Sequence, residues 1–203
     1  MLSQNFVWIG LLVAAFGNVF YLRDTLRGET KPNRVSFFLW GSTPLISFFS
    51  QHQAGSGMQI LYTLIVAILP FVIFTASFVD KKAYWKITSF DVACGCISVG
   101  ALASLLFSHR PLMSLTLSVV ADFFASMPTL IKSYRFPDTE TVSAYAVEIV
   151  SSVIVMLTIH TWTFVNYFFV SYILVMNVLF TGLLLLSPRK NRPSQLAPDA
   201  KAV

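Results

Sequence analysis

Apolar residues fall into seven runs along the chain, roughly 6–22, 35–50, 59–79, 91–107, 112–131, 142–159 and 167–186, with short polar breaks between them. The runs lack the strict alternation of a half-buried strand. A segment surrounded by lipid must satisfy its own backbone groups, as a helix or as part of a closed barrel. About 20 apolar residues suffice for a helix to cross a bilayer. The pattern therefore predicts an all-α membrane protein with seven transmembrane helices. The breaks agree: 28–33 (GETKPN) and 136–140 (FPDTE) are polar and contain Pro, and 54–57 (AGSG) is a short turn. Residues 187–203 are polar and Pro-rich, which predicts a disordered tail.

Charge adds an orientation. Arg23, Arg27, Lys31 and Arg34 lie between spans 1 and 2; Lys81, Lys82 and Lys86 between spans 3 and 4; Lys132 and Arg135 between spans 5 and 6. Arg189, Lys190, Arg192 and Lys201 lie in the tail, so 13 of the 14 Lys and Arg occupy every second connection, with Arg110 the exception. Cytoplasmic loops retain Lys and Arg. The expected topology places the N-terminus outside and the C-terminus in the cytoplasm.

Composition closes off other classes. The chain is 56% hydrophobic and 11% charged, with a mean hydropathy of +0.71, whereas a soluble domain carries about 25% charged residues. The net charge of +5 is accounted for by the loops, as topology signal and attraction to anionic lipid, so no nucleic-acid partner is expected. Residues 1–5 carry no Lys or Arg and no small-x-small site follows span 1, so span 1 is expected to stay in the membrane rather than be cleaved. Cys94 and Cys96, two positions apart on a helix, point ~200° from each other and read as small packing residues. His52, His109 and His160 are dispersed over the outer connections. No metal or other cofactor is expected, and no nucleophile or phosphate-loop motif points to an enzyme.

Sliding the chain by 107 residues lays spans 1, 2 and 3 on spans 5, 6 and 7, so that Val35-Ser36 meets Val142-Ser143 and Gln59 meets Asn166. Span 4 has no counterpart, and the two triplets run in the same direction. Such parallel repeats are related by an axis along the membrane normal, with solute sites at their interface near mid-membrane. The expected units are 1–80 (spans 1–3), 81–111 (the linker, span 4), 112–186 (spans 5–7) and 187–203 (the tail). The segment Met127-Pro-Thr-Leu-Ile-Lys-Ser-Tyr-Arg135 with Thr141-Val-Ser143, on this 3+1+3 plan, resembles the SWEET and PQ-loop repeat transporters. The first repeat is degenerate, with Tyr21-Leu22 in place of Pro-Gln, though Lys31-Pro-Asn-Arg-Val-Ser36 keeps the loop and helix start; the second has Thr129 where Gln is usual. Nicotinamide-riboside transporters share a similar plan.

Two acids fall inside the spans, Asp122 and Glu148, at depths that differ by only a few Å at about 1.5 Å per residue. A charge at mid-bilayer costs about 3 kcal/mol on insertion scales. The cost must be offset by burial in the bundle, by protonation or by a water-filled cavity. Ser118, Asp122, Ser126 and Thr129 share one face of span 5, and Thr141, Ala144, Tyr145, Glu148, Ser151 and Ser152 one face of span 6. Two such stripes can enclose a solvated path, with Asp122 and Glu148 coupling solute movement to protons; alternatively each acid bonds a neighbouring helix and only fixes packing. The resemblance implies solute binding by Trp40 in span 2 and Asn177 in span 7, against packing and an interhelical bond as the plainer roles. Asn18, beside a Gly17 expected to face the cavity, and Tyr145 complete the expected solute-binding set. The resemblance also implies hinges at Pro44 and Pro128; a static kink is the alternative. The leading expectation is a transporter of a small polar solute (a sugar, amino acid or vitamin-like molecule) by alternating access. The alternative is a non-transporting receptor or scaffold on the same fold. The partners are the solute and the lipid bilayer, with a homo-oligomer left open. Compact loops without glycosylation sequons suit a bacterial inner membrane.

Overall fold

The computed structural model describes residues 1–79, 85–104 and 110–187, the side chains of 101 and 104 apart. Seven α-helices occupy these residues: α1 (Val7–Leu26), α2 (Arg34–Gln53), α3 (Ile60–Ala76), α4 (Ser89–Ser104), α5 (Pro111–Arg135), α6 (Val142–Leu157) and α7 (Phe164–Leu186). No strand occurs among the described residues. His109, Lys81, Lys82 and the tail from 188 onward lie outside them. Ser187 is buried and its hydroxyl donates to the Tyr134 carbonyl at 2.7 Å.

Local chemistry sets the boundaries. The α1–α2 break turns at Gly28 (φ 70°) and the α2–α3 break at Gly55 (φ 72°), left-handed conformations that favour glycine. The Asn33 side chain caps α2 by accepting from the Val35 and Ser36 amides at 3.1 and 3.3 Å. Its amide also donates to Asp91 Oδ1 at 3.0 Å. Asp91 accepts from the Thr88 amide at 2.6 Å, and the Thr88 hydroxyl accepts from the Asp91 amide at 3.3 Å. That reciprocal cap fastens the start of α4 to the start of α2. Pro111 occupies the first turn of α5, where its missing N–H costs nothing.

Three segments are long and apolar enough to cross a membrane: 4–26, 111–135 and 164–186. The remainder differ from the expected uniform spans. α3, α4 and α6 have 17, 16 and 16 residues, or about 24–26 Å at 1.5 Å per residue, and α2 is interrupted by Ser, Thr and Gln. The surface is that of a membrane protein: Trp8, Leu12 and Phe16 of α1, Phe123 of α5 and Val175, Leu179 and Leu186 of α7 are exposed, whereas Ser36, Thr43, Ser47, Gln51, Thr63 and Ser118 are buried.

The helices form a ring. α1 packs on α3, α3 on α2, α2 on α5, α5 on α7, α7 on α6, and α6 back on α1. α4 lies outside the ring against α5 and, less extensively, α2. In each triplet the third helix sits between the first and the second, and moving four helices along the chain carries one half of the ring onto the other.

Two antiparallel seams join the halves. Between α2 and α5 the seam is polar: the Ser47 and Ser118 hydroxyls bond at 2.6 Å, Thr43 donates to Asp122 Oδ1, and Trp40 Nε1 donates to Ser126 at 2.9 Å. Between α1 and α6 it is tight instead. Gly10, Ala14 and Gly17 form a buried stripe on α1, the small-residue spacing that lets helices approach closely. The Ser151 hydroxyl donates to the Gly10 carbonyl at 2.7 Å. A Cβ at Gly10 would lie 2.5 Å from a Val155 methyl, and one at Gly17 2.9 Å from Val147. Gly17 therefore faces α6, not the cavity expected beside Asn18. Overpacking costs about 1–3 kcal/mol, so Gly17→Leu should lower the unfolding temperature of the detergent-purified protein measurably. Gly182→Ala, where a Cβ meets nothing within 4 Å, should leave it unchanged.

Candidate functional site

The ring encloses a cavity of about 100 Å³ to which all six of its helices contribute. At ~10–15 Å³ per water position, it has room for several waters or a compact solute. Asn18, Trp40, Pro44, Asp122, Tyr145, Glu148 and Asn177, seven residues singled out from sequence, line it together. Pro128 does not: it is buried in α5 outside the lining. Pro44 and Pro70 are the two helix-interior prolines at the cavity wall.

The acids differ in their surroundings. Asp122, 3% exposed, has both carboxyl oxygens occupied, Oδ1 by the Thr43 hydroxyl and Oδ2 by the Tyr172 hydroxyl at 2.8 Å. Glu148, 8% exposed, is half satisfied. Its Oε1 accepts from the Tyr62 hydroxyl at 2.6 Å, and Tyr62 also bonds the Ser152 hydroxyl at 2.8 Å. Glu148 Oε2 is buried with no hydrogen-bond partner among the described residues. A buried acceptor without a donor costs about 1–3 kcal/mol, more when charged.

The expected polar stripes divide into two functions. On α5 only Asp122 and Ser126 reach the cavity. Ser118 is consumed in the seam with Ser47, and Thr129 is buried in the packing. On α6, Ala144, Tyr145 and Glu148 line the cavity, while Ser151 bonds α1 and Ser152 bonds Tyr62 and the Glu148 carbonyl. Thr141 bonds Thr30 at 2.7 Å and Asp24 at 2.9 Å. The side-chain amides of Asn18 and Asn177 donate to carbonyls of their own helices, Ala14 at 3.0 Å and Ile173 at 2.9 Å. The walls between are aromatic: Tyr145 stacks on Phe180 at 4.7 Å, Trp40 meets Phe180 edge-on at 5.7 Å, and Phe37 lies 5.0 Å from Trp40.

One end of the cavity is closed by a buried ionic cluster. Tyr21 and Tyr145, both in the lining, each donate to Glu140 Oε2 at 2.8 Å. Glu140 Oε1 accepts from Lys132 Nζ at 2.5 Å, with the two side chains 0% and 1% exposed. Lys132 also donates to the Lys31 carbonyl and lies 5.1 Å from the Trp85 ring centroid. The Lys31 amide donates to the Thr139 carbonyl at 3.1 Å. The α1–α2 and α5–α6 connections are thus clasped over the cavity. Lys132, counted among loop charges from sequence, is a buried partner of Glu140.

Sequence reasoning missed Tyr62, Tyr172, Thr43, Glu140 and Lys132. The tyrosines carried a usable signal, since a phenol inside an apolar helix needs a partner for its hydroxyl. Glu140 lay in a polar break and Lys132 beside one, so neither stood out from solvated loop charges. Cys94 is buried, Cys96 exposed and both are free. His52 closes the last turn of α2 and stacks on Phe48 at 6.3 Å, and His160 Nδ1 lies 2.8 Å from the Thr158 carbonyl. Among the described residues no group of His, Cys, Asp and Glu could hold a metal ion.

No family model, curated protein or solved structure matches the chain.

Removing one partner of a buried ion pair costs about 3–5 kcal/mol because the other charge is stranded. Lys132→Met and Glu140→Gln should each lower the unfolding temperature sharply. The double variant should be more stable than the sum of the two single losses indicates, a coupling that a double-mutant cycle in detergent reads directly.

Proposed function

We propose that the chain is a membrane transporter of a small polar solute, working by alternating access. The observation that carries this reading is the cavity walled by all six ring helices, with one acid on α5, bonded to α2, one on α6, bonded to α3, and one end closed by a clasp between the halves. Solutes of transporters built from repeats bind at the interface of the repeats near mid-membrane. The ring order supports two parallel triple-helix units, α1–α3 and α5–α7, joined by α4. All seven helices cross the membrane in this reading, with the N-terminus outside and the clasped end in the cytoplasm. The resemblance to SWEET and PQ-loop transporters belongs to the same proposal, as does a place in a bacterial inner membrane.

In the cycle, the solute occupies the space between Trp40, Tyr145, Asn18 and Asn177. Release toward the clasped end requires Tyr21 and Tyr145 to leave Glu140 and the two connections to part. Pro44, which lacks the N–H of an unbroken helix, bends α2 at the cavity wall; Pro128 serves as the matching hinge in α5. Asp122 and Glu148 carry the coupling proton, each exchanging a tyrosine hydroxyl bond for one to water or solute.

Uptake into proteoliposomes, measured against a solute panel with and without an inward pH gradient, should show gradient-stimulated flux in the unaltered protein. Asp122→Asn and Glu148→Gln should reduce the stimulated component to the level of empty vesicles; stimulation equal in all three proteins removes the coupling role. Binding of a panel member without flux in any condition favours the receptor reading. For the topology, Ala54→Cys, at an exposed position of the α2–α3 turn, in a Cys94→Ala/Cys96→Ala background should react with an impermeant maleimide on intact cells. Glu29→Cys should react only after permeabilisation; the reverse pattern inverts the orientation.

A further inference from the structure

The carboxyl groups of the cavity have no basic counterpart in its lining. Asp122 and Glu148 line it, and no Lys, Arg or His does among the described residues. The buried Lys132, beyond the lining, is neutralised by Glu140 at 2.5 Å. Within this acidic site the two carboxyls are unequal. Asp122 has a hydroxyl donor on each oxygen, so its hydrogen-bonding needs are met within the protein. Glu148 has Tyr62 on Oε1 and, among the described residues, nothing on Oε2, an atom sealed from bulk solvent. Ionised or protonated, Oε2 lacks a partner among the described residues. The lining that Glu148 shares is rich in rings, Trp40, Tyr145, Phe180 and Phe37, while the amides of Asn18 and Asn177 donate to carbonyls of their own helices. The faces of such rings are electronegative and attract cations within about 6 Å of the centroid.

We infer that the solute is a small organic cation, a primary ammonium on an apolar or aromatic body, whose N–H groups bind Glu148 Oε2 while its body lies against Trp40, Tyr145 and Phe180. This rests on the reading of the cavity as the solute site. An N–H donor supplies the bond that Oε2 lacks. The positive charge balances an otherwise anionic chamber, and a charge-assisted bond there is about twice as strong as a neutral one. A sugar would meet the rings but leave the charge unbalanced; an anion would face two acids with no cation to receive it.

The test uses the full chain purified in detergent and three probes with one ring and three charges: benzylammonium, benzyl alcohol and benzoate. Titration calorimetry should show benzylammonium binding at least about tenfold more tightly than benzyl alcohol, with benzoate weakest. Glu148→Gln should abolish the preference for the cation, and Glu148→Asp should retain part of it. Benzyl alcohol or benzoate binding as tightly as benzylammonium overturns the inference. So does a folded Glu148→Gln protein that keeps the preference. If that variant does not fold, the three probes on the unaltered chain decide alone. Cation-selective binding without uptake in proteoliposomes defeats the transport reading and leaves this one standing. Uptake of glucose without any cation preference does the opposite.

Discussion

Along the line where α2 meets α5, a row of side chains crosses from one half of the ring to the other: Ser47 to Ser118, Thr43 to Asp122, Trp40 to Ser126. Polar groups removed from water must find partners inside the protein, and here they find them across the join between the halves. The seam fixes the register of α2 against α5 in steps of one helical turn. It thereby puts Asp122 and Trp40 one helical turn apart and turns both toward the space that α7 and α6 close from the other side. α1 and α6 are joined by a different device, glycines that remove side-chain bulk rather than hydroxyls that bond. Asp122 and Glu148 both line the space left between the two seams.

The clasp over the cavity depends on the same logic at higher stakes. Lys132 and Glu140 are both withdrawn from water, which is costly unless each is fully bonded. The phenols of Tyr21 and Tyr145, the Lys31 carbonyl and the Trp85 ring complete their surroundings. Because Tyr21 comes from α1, Lys132 from α5 and Tyr145 from α6, the cluster can be satisfied only while the halves are together at that end. A buried polar network of this kind favours one arrangement strongly and loses much of its stabilisation at once when parted, as a two-state element must.

Much of this was legible along the chain. Seven helices and the breaks at 28–33, 54–57 and 136–140 follow from run lengths and turn residues, all local properties. The acids at 122 and 148 stood out because ionisable residues in apolar runs are rare. Their convergence on one cavity with Trp40 and Asn177 agrees with the folded chain, although the stripes that led there are mostly consumed in helix joins. Gly17 pointed the other way, because the side of α1 that α6 covers depends on a partner 130 residues distant, which no local pattern specifies. Tyr62 and Tyr172 were passed over for the same reason: a tyrosine in an apolar run looks like bulk until its hydroxyl is seen to end on a carboxylate.

What the order of residues determined alone was where helices begin and end, and which of their positions tolerate burial in an apolar setting, since hydropathy, caps and prolines act within a few residues of one another. Tertiary structure decided which polar groups meet. Asp122 acquired two donors and Glu148 one, and Lys132 became the partner of Glu140 instead of a loop charge. Hydrogen bonds and ion pairs act over about 3 Å, and only packing brings residues so far apart in the chain within that reach.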